Sequence, residues 1–290
     1  VNESRRLGRA AVLELLEGHG LSPKKSLGQN FLVDPNTAER IARLARVGPG
    51  DHVLEIGAGL GSLTLALAQT GADVLAIEID HHLVEILRSL VPPEVRVLEA
   101  DALTCEFTNV LAEDDAAHAR DVSERSWVLV GNLPYNVATP IVMTLLERVP
   151  QVTEMLVMVQ RDMAERYVAD PSTKSYGAVT VRMAYFAKTR VLGHVSREVF
   201  FPRPNVDSAL VAMKRRDRPA VDPTTASYEE LNALVRAGFS GRRKMLRRSL
   251  AGIVDEQAFS CAGVDPTARA ENLDVSSWGK LAGCRRSIGN

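Results

Sequence analysis

The sequence predicts an α/β fold: a mostly parallel sheet with helices on both faces, followed by a small all-α C-terminal domain. Three observations predict it. Short apolar runs recur between Asp51 and Val159, and apolar residues at helical spacing fill the intervals between them. A glycine-rich turn, Gly57-Ala58-Gly59-Leu60-Gly61, joins the first run to the first interval. Parallel strands need long crossovers, usually helices, so this alternation implies a parallel sheet.

Residues 1–22 read as a helical extension, with Val12, Leu13, Leu15 and Leu16 as its apolar stripe and Gly18 and Gly20 as its stop. A polar, basic loop follows from Ser22 to Phe31, and Asp34-Pro35 caps a helix that buries Ile41, Leu44 and Ala45. Val53–Ile56 is the first strand, and a helix runs from Leu63 to Ala68 and stops at Gly71. Val74–Glu78 is the second strand, and Leu83, Ile86, Leu87 and Leu90 mark the next helix. Val95–Leu98, Trp127–Val130 and Met155–Val159 are the third, fourth and fifth strands. Residues 178–187 and 206–213 are further strand candidates, and the acidic stretch from Glu113 to Arg125 reads as an exposed insertion. Lys214 to Pro223 is a polar linker, after which Ser227 and Glu230 have capping-box spacing before a helix face of Leu231, Leu234, Val235 and Phe239. The expected organisation is therefore 1–22 as extension, 23–213 as the sheet domain and 214–290 as the helical domain.

Composition is that of a soluble globular chain, 46% hydrophobic and 24% charged. No apolar stretch approaches the roughly 18 residues that a membrane span needs, and no secretory leader is expected. Cys105, Cys261 and Cys284 are scattered, which argues against a disulfide framework or a zinc site and fits a reducing cytosol. The net charge of −1 hides local contrast. Residues 98–125 carry eight acids and two bases, whereas 236–250 carry six bases and no acid. Local patches set the field that a phosphate backbone meets, although a charge run is by itself most often a solvated face.

The glycine turn lets backbone approach a ligand closely, and its spacing is Glu55-x-Gly57-x-Gly59-x-Gly61. A dinucleotide fingerprint would need glycine or alanine where this chain has Ser62. Glu78 ends the second strand 19 residues after Gly59, where a carboxylate accepts from both ribose hydroxyls. Asp101-Ala102 follows the third strand, where an acid accepts from an adenine amine. With acids in place and no phosphate cradle, the expected cofactor is the sulfonium nucleoside S-adenosylmethionine.

Gly131-Asn132-Leu133-Pro134-Tyr135 follows the fourth strand, at the edge where open α/β sheets bind ligands. The exocyclic amine of adenine is a poor nucleophile because its lone pair is delocalised into the ring. The Asn132 side-chain carbonyl and the Leu133 main-chain carbonyl can accept its two hydrogens and localise that lone pair for in-line attack on a methyl group. Dipoles placed where charge develops are each worth ~2.7–4 kcal/mol. Pro134 stiffens the loop, and Tyr135 offers a stacking face for an extruded base.

These residues resemble the ribosomal RNA adenine dimethyltransferase family, specifically its small-subunit members. The resemblance rests on Leu27-Gly28-Gln29-Asn30-Phe31-Leu32, Glu55-Ile56-Gly57-x-Gly59, Asp101-Ala102 and Gly131–Tyr135. It continues through Ser175-Tyr176-Gly177, Phe200-x-Pro202-x-Pro204-x-Val206-Asp207-Ser208 and the basic segment from Phe239 to Leu250. It implies a Rossmann-like methyltransferase sheet in which Asn30 and Leu32 close over the cofactor. Glu55, Gly57, Gly59 and Glu78 would hold its methionine and ribose portions, and Asp101 and Ala102 its adenine. Asn132 would serve cofactor and catalysis, and Phe200 would stack on the target base opposite Tyr135; without the resemblance, Phe200 reads as core. The implied substrate is two adjacent adenosines in a hairpin near the 3′ end of 16S ribosomal RNA, each dimethylated at N6 within the immature small subunit. Lys24, Lys25, Arg242, Arg243, Lys244, Arg247 and Arg248 would contact RNA phosphates, with salt-dependent binding. A cytoplasmic monomer without metal is expected.

Three other readings compete. A large-subunit (23S) adenine methyltransferase of the macrolide-resistance type shares the cofactor site and a similar loop, but Ser175-Tyr176-Gly177 and the Arg242-Arg243-Lys244 helix favour the small-subunit enzyme. A DNA adenine methyltransferase would more typically carry proline where this chain has Leu133. An assembly factor would need subunit binding more than catalysis.

Overall fold

The computed structural model describes residues 6–117 and 126–288. The chain divides into two compact units. A sheet unit runs up to Arg161 and takes in Val191–Lys214. A helical unit combines Asp162–Arg190 with the chain from Arg215 onward. The helical unit thus holds a segment that sequence reading assigns to the sheet domain, because the chain crosses between the units more than once.

The sheet has seven strands in the order β4-β3-β2-β5-β6-β9-β7. They are β2 (His52–Ile56), β3 (Asp73–Glu78), β4 (Arg96–Glu99), β5 (Trp127–Asn132), β6 (Val152–Gln160), β7 (Ala187–Val195) and β9 (Ser208–Arg215). Two short strands, β1 (Phe31–Leu32) and β8 (Phe200–Phe201), pair antiparallel apart from it. Strands β2 to β6 run parallel, and β9 pairs antiparallel with β6. Val53, Leu54 and Ile56 are buried, as expected of a strand covered on both faces.

The chain moves outward from β2 through β3 to β4, then returns to place β5 on the other side of β2. Such a reversal opens a crevice at the carboxyl ends of the two central strands. Here those ends are Ile56, entering the glycine turn, and Asn132. The strands approach closely, since a Cβ on Gly131 would lie 3.0 Å from the Ile56 carbonyl oxygen.

Helices of this unit form where caps and apolar spacing expect them. In α2 (Pro35–Ala45), Asp34 accepts from the Thr37 N–H at 2.9 Å and Pro35 opens the first turn. The helices α3 (Ser62–Ala68) and α4 (His81–Leu90) follow their strands. In α1 (Arg9–Gly18), Val12 and Leu16 pack with Phe31, Leu60, Leu65 and Ile86, so the N-terminal extension is part of the core. The helix α5 (Phe107–Ala117) corrects the reading of an exposed acidic insertion: Asp114 and Asp115 are buried, and Asp114 pairs with Arg96. The rest of that predicted insertion, 118–125, lies outside the described residues. The helix α6 (Ala138–Arg148) follows the loop after β5.

The helical unit contains α7 (Arg161–Tyr167) from its second residue, α8 (Ala178–Phe186), α9 (Tyr228–Ser240), α10 (Leu246–Ser249), α11 (Glu256–Ala262) and α12 (Val275–Ile288). The strand expected over 178–187 is helix α8 up to Phe186. Its Val, Thr, Tyr and Phe residues favour strands, but packing against α9 and α12 overrides that weak preference. The Ser227–Glu230 capping box forms as read, with both reciprocal hydrogen bonds present. The expected absence of disulfides is corrected by a Cys261–Cys284 bond, S–S 2.08 Å. It joins α11 to α12, whose packing brings together cysteines 23 residues apart. Cysteine usage therefore supports no inference about compartment. No described helix is long and apolar enough to cross a membrane.

Candidate active site

The crevice at the ends of β2 and β5 is a cleft of about 270 Å³. It is lined by Asn30, Gly57, Gly59, Glu78, Asp101, Ala102, Asn132, Leu133, Pro134 and Tyr135. Leu32 and Glu55 line a smaller recess beside it, together with Asn30, Gly57, Gly59 and Asn132. Every residue assigned from sequence to cofactor or catalysis, apart from Phe200, therefore lines one of two adjoining cavities.

Glu78, buried at the end of β3, is set by backbone donors. Its Oε2 accepts from the Gly59 N–H at 2.8 Å, and its Oε1 from the N–H groups of Ile79 and Asp80 at 2.9 and 3.0 Å. Burial pushes its carboxyl above the ordinary range, and those three donors oppose the rise. Gly59 has φ +58°, and a Cβ there would lie 3.2 Å from the Phe31 ring, so glycine is what lets this turn reach the carboxylate. Asp101 Oδ1 accepts from the Leu103 N–H at 2.9 Å, which fixes the side chain at the rim. Ile79 and Leu103, 43% and 49% exposed, line the cleft as apolar faces suited to a purine. Sequence reading missed both, because a single exposed apolar residue carries no pattern.

Glu55 is only 1% exposed, with the Thr64 hydroxyl beside its carboxyl. Burial pushes its carboxyl up to about 8. Glu55 also lines the smaller recess beside the cleft, where a ligand or water can reach it.

At the end of β5, Asn132 Nδ2 donates to the Asn30 carbonyl at 3.1 Å. This turns the amide so that Oδ1, with no partner among the described residues, is its open end. Asn30 is in turn held by donation of its Nδ2 to the Gly28 carbonyl at 3.0 Å. The Pro134 carbonyl accepts from Val137 and Ala138, which closes the loop as a turn into α6. Tyr135 shares a 2.7 Å hydrogen bond with the hydroxyl of fully buried Ser208 on β9, and burial raises the Tyr135 hydroxyl above its usual range. Ser208 stands in a motif quoted from sequence, yet only the fold shows what it touches.

Phe200 departs from expectation. It is fully buried among Leu32, Val130, Val195 and Leu210, and its strand β8 pairs with β1. A ring that stacks on a base must present a face, so in this structure Phe200 packs the core.

The basic residues also separate. Lys24 Nζ lies 2.8 Å from a carboxylate oxygen of buried Asp80. Arg242 donates to Glu271 at 2.9 Å and to the Lys174 carbonyl at 2.6 Å. Lys25, Arg243, Lys244, Arg247 and Arg248 are exposed. The expected Arg242-Arg243-Lys244 helix is a turn between α9 and α10. Among the described residues no cluster of three or more His, Cys, Asp or Glu has the arrangement of a metal site.

A comparison with protein families matches residues 20–284 to the family described as ribosomal RNA adenine dimethylase. The chain belongs to that family. Among curated relatives, a protein from Bifidobacterium longum subsp. infantis called ribosomal RNA small subunit methyltransferase A is 43% identical, over 98% of this chain and 95% of its own length. A protein of the same name from Thermobifida fusca is 42% identical, over 97% of this chain and 96% of its own. Of solved structures, the 23S rRNA methyltransferase ErmE superposes with TM-score 0.67 at 28% identity, covering 89% of this chain and all of that one. A dimethyladenosine transferase from Plasmodium falciparum shares the fold with TM-score 0.67 at 22% identity, covering 86% of this chain and 94% of that one. As a member of the ribosomal RNA adenine dimethylase family, this chain is a methyltransferase that uses S-adenosylmethionine. The residues present fit that cofactor: the buried Glu78 carboxylate and the rim acid Asp101 line one cleft, and no lysine or phosphate cradle stands among its described lining residues.

Proposed function

We propose that this protein places two methyl groups on N6 of each of two adjacent adenosines, in a hairpin near the 3′ end of 16S ribosomal RNA. It would act as a cytoplasmic monomer on the immature small subunit. The observation that carries the chemistry is Asn132, which lines the cleft with its amide held through Nδ2 on the Asn30 carbonyl, leaving Oδ1 as its acceptor. The choice of small-subunit RNA is supported by the names of relatives that match almost the whole chain at 42–43% identity.

S-adenosylmethionine, when bound, supplies an electrophilic methyl group. Glu78 would accept from the ribose hydroxyls and Asp101 from the adenine amine, while Asn30, Leu32, Gly57 and Gly59 form walls for the remainder. Asn132 Oδ1 and the Leu133 carbonyl would accept the two amine hydrogens of the target base and localise its lone pair toward the methyl group. Tyr135 would stack on the extruded base, which unpairs at least cost in a loop. With Phe200 in the core, the second stacking face is left to another group or to a movement of β8. The exposed bases Lys25, Arg243, Lys244, Arg247 and Arg248 would contact phosphates.

The test is to supply radiolabelled S-adenosylmethionine with immature small subunits and, separately, with free 23S RNA, and to map the methylated adenosines by mass spectrometry. Label on two adjacent small-subunit adenosines is expected. Label on 23S RNA alone would establish the large-subunit reading, and subunit binding without label would establish the assembly-factor reading.

A further inference from the structure

Residues 24–30 form a strap along the cleft, and both ends of its turn are fastened to one buried carboxylate. Lys24 Nζ donates to Asp80 Oδ1 at 2.9 Å, and Gln29 Nε2 donates to Asp80 Oδ2 at 2.9 Å. The two ends are also tied to each other, since Gln29 Oε1 accepts from the Lys24 N–H at 2.8 Å. The Asp80 side chain is 5% exposed, so it is well shielded from water that would compete for these bonds. Its own N–H is bound to Glu78 Oε1 at 3.0 Å. The clasp is therefore anchored on the segment that sets the Glu78 carboxylate.

Between the fastened ends, Ser26, Leu27 and Gly28 form part of the cleft wall. Gly28 has φ +65°, and a Cβ there would come within 3.0 Å of Asn136 Oδ1 and 3.3 Å of Pro134 Cβ, so the strap lies against the loop after β5. It also carries Asn30, whose carbonyl orients Asn132. The strap thus spans from the end of β3 to the end of β5 and touches both halves of the site.

We propose that Asp80 is a positioning residue which, through Lys24 and Gln29, fastens this strap over the cofactor cleft and so sets cofactor affinity. The proposal rests on the reading of the cleft as the S-adenosylmethionine site. It also reassigns Lys24 from RNA contact to clasp. A merely exposed ion pair would contribute little, but this one makes two charge-assisted hydrogen bonds, from Lys24 and Gln29, to a carboxylate with no other side-chain donor among the described residues.

The test uses the full chain and measures S-adenosylmethionine binding by calorimetry, with kcat and the KM for each substrate by radiolabel transfer. Asp80→Asn keeps an oxygen to cap α4 at the His82 N–H, and Lys24→Met breaks the clasp without touching that helix. Each is expected to weaken cofactor binding roughly tenfold, with kcat at saturating cofactor within about threefold of wild type. The double variant is expected to be no weaker than the single ones, because both remove one interaction. Lys24→Arg should restore affinity. Cofactor affinity unchanged in Lys24→Met, or a rise in the KM for RNA in its place, would overturn the clasp. Glu78→Gln separates the two levels: if it too leaves cofactor affinity unchanged, the reading of the cleft itself fails.

Discussion

Glu55, in the sheet unit, is buried near the end of β2 and lines a recess beside the cleft, whereas Tyr176, in the helical unit, is also buried and donates its hydroxyl to the Leu273 carbonyl at 2.8 Å. Both residues stand in segments that resemble the family. The first type of segment lines a cleft that a ligand can enter. The second packs and holds the helices together. Arg242 behaves as Tyr176 does, bound to Glu271 and to the Lys174 carbonyl. Recurrence of a motif in a family therefore does not by itself separate chemistry from packing; whether its residues line the cleft does.

The comparison can be broken most severely at Trp278. It is fully buried, and a Cβ on Gly238 would lie 2.4 Å from its ring, so α9 and α12 meet around it. Trp278→Ala should lower stability by about 3–5 kcal/mol in denaturant unfolding. Its affinity for S-adenosylmethionine, measured below the transition, should stay near wild type; a parallel loss would show that the units do not divide packing from chemistry.

Asn132→Ala should have the next largest effect, a loss of about 10²–10³ in kcat, or ~2.7–4 kcal/mol, with the melting temperature little changed. Transfer of radiolabel near the wild-type rate would remove Asn132 from catalysis.

Glu55→Gln sharpens the contrast through pH. In the folded protein the carboxyl is raised from its ordinary 4.5 to about 8, so the folded state holds a proton that the unfolded chain has released. The stability associated with the neutral form is intact below about pH 4.5 and is lost progressively as pH rises toward 8. Across that window wild type should lose about 1.4 kcal/mol per pH unit relative to Glu55→Gln. Parallel stability curves for the two proteins would contradict the burial argument.

The smallest effect is expected at Ser208→Ala, which removes the anchor of the Tyr135 hydroxyl. A neutral hydrogen bond of this kind is worth about 0.5–1.5 kcal/mol, so kcat should fall several-fold while cofactor affinity holds. If Tyr135→Phe matches Ser208→Ala and the double variant adds nothing, the pair acts as one unit.

Much of the cleft was legible because its residues sit at strand ends, and strand ends are set by local apolar runs. Glu78 could be placed from its distance past the glycine turn, and Asp101 from its position after the third strand. Phe200 could not, because core or cleft depends on how β8 pairs with β1, a contact between segments about 170 residues apart. Ile79, Leu103 and Ser208 acquire meaning only from their neighbours in space. The helix at Ala178–Phe186 was misread for a related reason: its β-branched and aromatic residues suit either element, and its burial against α9 and α12 decided.

By itself the sequence determined the five parallel strands β2 to β6, the caps of α2 and α9, and the set of acids and amide that suits a sulfonium nucleoside, since these follow from short-range spacing. Only the tertiary structure decided that β5 returns beside β2 to open the crevice, that Lys24 turns to Asp80, that Phe200 goes inward, and that Cys261 meets Cys284. Each of those depends on which distant segments pack together, and packing is settled by the burial of the whole chain rather than by any local run of residues.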